Sequence, residues 1–293
     1  MLGGMLSAYG YSLLLRVFFE TADGGYYSPM FKDCFELLPI PEFIGRLTRK
    51  DIAVLYRYDR VPCRCCRGSL SKYLPNDYVL LNGSSYSVNE IIAHWDPRLD
   101  IGVYSDYWRV AGGRIPKQFK EHKGSYIFFA AGLAKYPRNF FSKRRDFTEI
   151  RRAFINSRRG VYVVAYMKVD ELVDLTEIAS KLGIDVGRES DEKVWEYAIK
   201  EYGARVAATP HYARGTDLPV VMLSEKGHFG YFRKPLPIMA WVDGKKVLTD
   251  YSYIFGVKKF EDRVRHKLFT PPETEEIVKL LEKEDVILSY NEL

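Results

Sequence analysis

The chain is poor in glutamine, in cysteine and in long apolar runs. Gln118 is the only glutamine among 293 residues. Such scarcity beside abundant Lys, Arg and Glu is the composition expected of a hyperthermophilic source. The one candidate leader, Tyr11 to Phe19, contains Arg16, lacks a basic flank before it and is far shorter than the roughly 20 residues that span a bilayer. A cytoplasmic protein with no membrane partner is therefore expected. The chain also lacks a P-loop, a dinucleotide fingerprint, a zinc-deaminase signature and a Gly-x-Ser-x-Gly elbow, so no cofactor is expected and no reaction type can be named. Four cysteines, Cys34, Cys63, Cys65 and Cys66, all fall in the first quarter of the sequence. Cys63-Arg-Cys-Cys66 does not have the usual zinc spacing, which leaves disulfides, tolerated inside hyperthermophiles, and ordinary thiols as alternatives beside a thiolate metal site.

What is present is a sizeable core. Hydrophobic residues make up 47% of the chain and aromatic residues 15%, enough for one large domain or two ordinary ones. The stretch from Gly124 to Asp170 organises the rest. Two apolar runs, Tyr126 to Leu133 and Val161 to Met167, are rich in β-branched and aromatic residues and too short for independent helices, which predicts strands of a buried sheet. Between them, Lys135, Arg138, Lys143, Arg144, Arg145, Arg151, Arg152, Arg158 and Arg159 face only Asp146 and Glu149, a local net charge of +7 against +6 for the whole chain. Tyr136, Phe140, Phe141, Phe147 and Phe154 are interleaved with these cations. A positive field beside stackable rings fits a polyanion carrying bases. An exposed helix, Phe147 to Ser157, with merely solvated arginines is the plainer alternative.

Taken in order, Tyr11 to Glu20 reads as a strand running into Asp23-Gly-Gly-Tyr-Tyr-Ser-Pro29, where glycines can bring backbone close to a ligand. Leu37 to Glu42 reads as extended because of its prolines. Residues 43–86 read as a cysteine-containing insertion. Ser87-Val-Asn-Glu90 looks like a capping box opening a short helix through Ala93, which delivers His94-Trp-Asp-Pro-Arg-Leu-Asp100. An imidazole and two carboxylates there suit proton transfer or a metal, although turn aspartates beside a core histidine would look the same. Helices are expected over Asp170 to Leu182 and from Ser190 to Tyr202, where Gly203 is the stop. Pro219 to Ser224 and Phe229 to Arg233 read as a hairpin about Lys226-Gly227, closed by Pro235 and Pro237. A second hairpin turns at Asp243-Gly244. A helix from Pro271 to Lys283, capped by Thr270 and Glu273, precedes a short apolar tail, Val286 to Ser289. The architecture expected is α+β, with a mixed or mostly antiparallel sheet or small barrel and flanking helices, in a single domain over 1–293 that ends in a helix and tail over 270–293.

Several stretches together resemble the nucleotide-modification-associated domain family, third type, known from neighbourhoods of DNA base hypermodification. They are Asp23-Gly-Gly with Ser28-Pro29, Leu38-Pro-Ile-Pro-Glu42, His94 to Asp100, Phe128-Phe-Ala-Ala-Gly-Leu133 and His211-Tyr-Ala-Arg214. Their order and spacing carry the likeness, which spans most of the chain to about Pro237. Phe128-Phe-Ala-Ala-Gly and Gly160 to Met167 are also similar to the central hairpin of PUA-like barrels, including ASCH and EVE domains, which suggests a PUA-like core over 124–240. These resemblances imply association with nucleic-acid bases, DNA or RNA. Lys143, Arg144, Arg145, Arg151, Arg152, Arg158 and Arg159 would bind phosphates, and Tyr27, Trp108 and Tyr212 would stack on a base. Asp23, His94, Asp96, Asp100, His211 and Arg214 would form a catalytic site if the protein is an enzyme, with Arg214 holding an anion. A non-catalytic ribosome- or RNA-associated binder fits the same composition. The oligomeric state is not legible.

Overall fold

The computed structural model describes residues 9–283 apart from 19, 22, 82–83, 138, 186–190, 216–217, 243 and 259–265. Arg138 of the basic connector, Ser190, Asp243 and the tail 286–289 thus lie outside the described residues. The fold is α+β, built on a large curled mixed sheet that forms a half-barrel with flanking helices. Its hub is the strand Ser125–Lys135, in which Ile127 to Ala134 are all buried. A strand buried on both faces can be apolar without alternation, and Ile-Phe-Phe-Ala-Ala-Gly-Leu-Ala is such a run. It pairs antiparallel with Arg159–Val169 and parallel with both Ser12–Arg16 and Ser28–Met30. Phe229–Val242 continues the sheet beyond Arg159–Val169, Lys245–Leu248 follows it as a hairpin, and Lys267–Phe269 closes the other edge beside Ser12–Arg16.

Two glycines permit the closest approaches around the hub. A side chain at Gly132 would meet the Tyr27 ring at 2.7 Å, so the missing Cβ lets that ring lie on the strand. At Gly25, φ is +82° and a Cβ would meet the Phe147 ring at 2.7 Å. The loop after the first strand is therefore pressed onto the helix Phe147–Ile155, and Arg151 donates to the Gly25 carbonyl.

Four expectations are corrected by the structure. The Ser87 capping box is present, but it opens only a single 3-10 turn, Val88–Glu90, and the chain then enters the strand Ile91–His94. Ile91 and Ile92 are β-branched and buried, and the prolines that extend Leu37 to Glu42 supply a partner strand, Ile40–Phe43. Asp170 to Leu182 is not one helix. Leu172 and Val173 pair with Met222 and Val221, and Asp174 then caps the helix Leu175–Lys181 by accepting from Thr176 N and Glu177 N. The strands flanking Lys226-Gly227 do not pair with each other. Val220–Leu223 lies between Glu171–Asp174 and Val103–Asp106 in a three-stranded sheet, whereas Phe229–Val242 joins the large one. Pro235 and Pro237 sit within that long strand, where the ladder register shifts, because neither can donate to it. The helix Pro271–Lys283 has the expected cap, with Thr270 N and Oγ1 both donating to Glu273.

The cysteines form two disulfides, Cys34–Cys65 and Cys63–Cys66, and none of the four is free. Cys34–Cys65 fastens residues 31 apart, and chain entropy assigns a loop of that length about 3–4 kcal/mol. Cys63–Cys66 closes a separation of only 3 and restricts the unfolded chain far less. Cys34→Ser is therefore expected to lower the denaturant midpoint by an amount equivalent to roughly 3 kcal/mol, clearly more than Cys66→Ser. Chemical denaturation of both variants, with and without reductant, checks the ranking.

Candidate functional site

His94 ends the strand Ile91–His94, and backbone bonds from Trp95 N to Ala93 O and from Asp96 N to His94 O, each 2.8 Å, curl the chain just beyond it. Asp96 is thereby brought against the strand Val103–Asp106 and accepts from Ser105 N at 3.1 Å and from Ser105 Oγ. The Asp96–Pro97 peptide is cis. The third element is the short helix Pro210–Arg214, with Pro210 at its first turn and His211 buried next to it. Donor atoms of His94, Asp96 and His211 all lie within 4.8 Å of one another. The two imidazoles meet edge to face, with centroids 5.1 Å apart.

Glu42 completes the group. It lies diagonally across the ribbon from His94, since the register pairs Ile40 with His94 and Glu42 with Ile92. Its Oε2 is 3.0 Å from His94 Nδ1, and Arg214 Nε donates to its Oε1 at 2.6 Å. Tyr107 Oη is 3.2 Å from His211 Nδ1, and Arg214 Nη1 is 3.5 Å from the same nitrogen. The two carboxyls respond in opposite ways. Burial disfavours charge on Glu42, but the hydrogen bond and charge of His94, joined by Arg214, outweigh it and hold the carboxyl down at about 2. Asp96 is fully enclosed; burial pushes it up to about 8 against the Ser105 hydrogen bonds, and the Asp106 charge adds to the rise. A carboxyl that exchanges its proton near neutrality beside two imidazoles can give or take a proton, and the same three side chains can hold a metal.

The remaining residues singled out by sequence lie elsewhere. Asp100 forms a two-point pair with Arg98, at 2.8 and 2.7 Å. Asp23 sits by Arg16 and Glu20, where burial raises its carboxyl and Arg16 opposes the rise. Tyr27 is buried, edge-on to Phe154 and Trp241. Trp108 Nε1 donates to Asp174 at 2.8 Å, and Tyr212 lies under the Arg49 guanidinium, at 4.5 Å, and against Trp195. These rings are engaged in packing. Of the basic connector, Lys143, Arg144, Arg152 and Arg158 are exposed. Arg145 pairs with Glu149, Arg151 bonds Gly25 O, and Arg159 donates to Phe154 O and Ile155 O.

Of the aromatic rings that border an opening, sequence reasoning singled out Tyr136 and Phe141 and missed Phe31 and Tyr73. A cleft of about 430 Å³ runs along the start of the connector, lined by Phe31, Tyr73, Tyr136 and Phe141 with Lys72 and Lys135. A second, of about 600 Å³, holds Trp95, Asp100, Arg64 and Tyr231. Asp33 and Cys34 line both clefts, so the Cys34–Cys65 bridge stands between them. Trp95, the residue between His94 and Asp96, thus reaches the larger cleft. Phe31 and Tyr73 come from the segments tied by the bridges, for which hydrophobic periodicity gives no signal. Comparison with protein-family models, with curated proteins and with solved structures finds no match to this chain.

The depressed Glu42 carboxyl has a pH consequence. Its folded value of about 2 lies below the ordinary 4.5, so its contribution is complete above about pH 4.5 and is lost as pH falls toward 2. Glu42→Ala, which leaves His94 and Arg214 without their acceptor, is expected to cost about 3 kcal/mol at pH 7. The difference between wild type and Glu42→Ala should shrink on acidification from pH 5 to pH 3, as measured by urea midpoints.

Proposed function

We propose that the protein binds nucleic acid and seats an unpaired base in the cleft between the connector and the disulfide-tied segments. The observation that carries this is the adjacency of exposed cations to an aromatic-lined opening. Lys143, Arg144, Arg152 and Arg158 remain exposed, with no acidic partner among the described residues. Lys143 and Arg144 follow directly on Ser142, which lines the cleft that Phe31, Tyr73, Tyr136 and Phe141 border and whose rim carries Lys32, Lys72 and Lys135. Phosphates would follow the cations, and a base, which has a flat face whatever its identity, would stack on Phe31, the one of these four rings that is not buried. The likeness of Asp23 to Pro29, Leu38 to Glu42, His94 to Asp100 and His211 to Arg214 to a nucleotide-modification-associated family points to the same ligand class.

A second reading, that the protein also transforms the bound nucleotide, is favoured by a separate observation. His94, Asp96 and His211 converge one residue from Trp95, which lines the larger cleft. In this reading Asp96 or a histidine moves a proton, and Arg214, half-buried on Glu42, positions rather than reacts.

Fluorescence anisotropy with a labelled single-stranded oligonucleotide tests the binding reading. Lys143→Glu, Arg144→Glu, Arg152→Glu and Arg158→Glu combined should weaken binding at least about tenfold and make the slope of log affinity against log salt shallower by about 3, near 0.7 for each phosphate no longer neutralised. Phe31→Ala should weaken binding by the equivalent of about 1–3 kcal/mol while leaving that slope unchanged. Unaltered affinity in the charge-reversed protein would rule out the connector as the phosphate-binding face.

A further inference from the structure

We infer that His94, Asp96 and His211 form a binding site for a divalent first-row transition metal, such as Zn²⁺ or Fe²⁺. Whether or not nucleic acid is the ligand of the connector, this site rests on its own geometry. Two imidazoles and one carboxylate form a donor set of borderline softness, which suits these ions better than Mg²⁺ or Ca²⁺. The donor atoms are within 4.8 Å of one another. A metal at about 2.0–2.2 Å from each would draw them closer still.

The stronger observation is what stands behind each donor. Metal-bound imidazoles characteristically have their second nitrogen fixed by a carboxylate, a carbonyl or another polar group. Glu42 Oε2 holds His94 Nδ1 at 3.0 Å, which leaves Nε2 to ligate. Tyr107 Oη approaches His211 Nδ1 at 3.2 Å, and Arg214 Nη1 lies 3.5 Å from the same nitrogen. Ser105 N and Oγ orient the Asp96 carboxylate. Three donors, each with its own outer support, come from three separate elements: the strand Ile91–His94, the curl after it and the helix Pro210–Arg214. A histidine merely satisfied in the core would need only Glu42. It would not need a buried carboxylate and a second imidazole turned to the same point.

The surrounding charge agrees. The arginines around the site are each paired with a carboxylate, Arg214 with Glu42 at 2.6 Å, Arg98 with Asp100 at 2.7 Å and Arg114 with Asp106, which reduces their repulsion of a metal. The other grouping of possible ligands, Glu36 with Cys63 and Cys66, has both sulfurs committed to a disulfide. Three protein donors leave at least one coordination position for water or substrate, the arrangement of a catalytic rather than a structural metal.

The test uses tag-free, full-length protein stripped with chelator, titrated with Zn²⁺ by calorimetry and with Co²⁺ by visible absorption. One equivalent should bind. Asp96→Asn and His211→Ala should each weaken binding at least about 100-fold, and Glu42→Gln, which disturbs the support of His94 and the pairing of Arg214, about 10–100-fold with the stoichiometry kept. Cys63→Ser with Cys66→Ser should bind as wild type does. X-ray absorption of the Zn²⁺-loaded wild-type protein should show imidazole and oxygen ligation without sulfur, and it decides the matter even if a variant fails to fold. Absence of a one-equivalent site, sulfur in the ligand shell, or undiminished binding in both Asp96→Asn and His211→Ala would overturn the inference. Oligonucleotide binding by wild-type protein in any of those cases would show that the nucleic-acid reading survives separately.

Discussion

A buried carboxylate, that of Glu42, ties the candidate site together. It holds His94, 52 residues along the chain, and Arg214, 172 residues along, at 3.0 and 2.6 Å. Removing an ionised carboxyl from water is costly, and here the cost is met by one guanidinium and one imidazole. The same contacts fix the orientation of His94 and bind the two-stranded ribbon to the helix Pro210–Arg214. Close by, Asp96 is held by the Ser105 donors rather than by a paired cation, and burial drives it the opposite way. One carboxyl held charged and another held near neutrality within a single constellation is the kind of division that lets groups take different chemical roles.

The curled sheet explains how charge and rings come to share the connector. That segment leaves the sheet after Ser125–Lys135 and returns as Arg159–Val169, so both of its ends are anchored in the hub pair. Phe141, Phe147, Ile150 and Phe154 bury themselves beneath it, and the intervening polar positions are left outside. On the helix Phe147–Ile155 the apolar positions recur at helical spacing, which turns Arg152 outward while Arg151 bridges to the loop at Gly25. The positive face is in part the reverse side of an aromatic core. A cleft to which Phe31, Tyr73 and the disulfide-bonded Cys34 and Cys65 contribute lies at the start of the connector.

Legibility in the sequence followed the range of the interactions. The hub strands, the helix Pro271–Lys283 and the stop at Gly203 are written in local pattern: β-branched runs, a Thr270–Glu273 cap and a glycine with φ of +84°. His94, Asp96, His211 and Arg214 come together as their residue types suggested, whereas Asp100 is paired with Arg98 and Asp23 lies apart, near Arg16 and Glu20. Tyr27 is taken up by the core, which one sequence does not show, whereas Trp108 and Tyr212 are only partly buried beside Asp174 and Arg49. Glu42 stood in a recognisable proline-rich stretch, yet nothing local says that it faces a histidine from the next ribbon strand. The partition of Val220–Leu223 and Phe229–Val242 between two sheets is likewise a long-range choice. A short turn between two apolar runs reads as a hairpin unless each run has a better partner elsewhere.

The site depends most directly on Glu42 fixing the ring of His94. Long-range nitrogen–proton correlation NMR of the imidazoles, on metal-free protein at a pH where the rings are neutral, reads this without reference to any ligand. The expected result is His94 in the Nδ1–H tautomer, with the proton shared toward Glu42, and a shift toward the mixed tautomers of a free imidazole in Glu42→Gln. A wild-type His94 protonated on Nε2, or tautomers unchanged by the substitution, would contradict it.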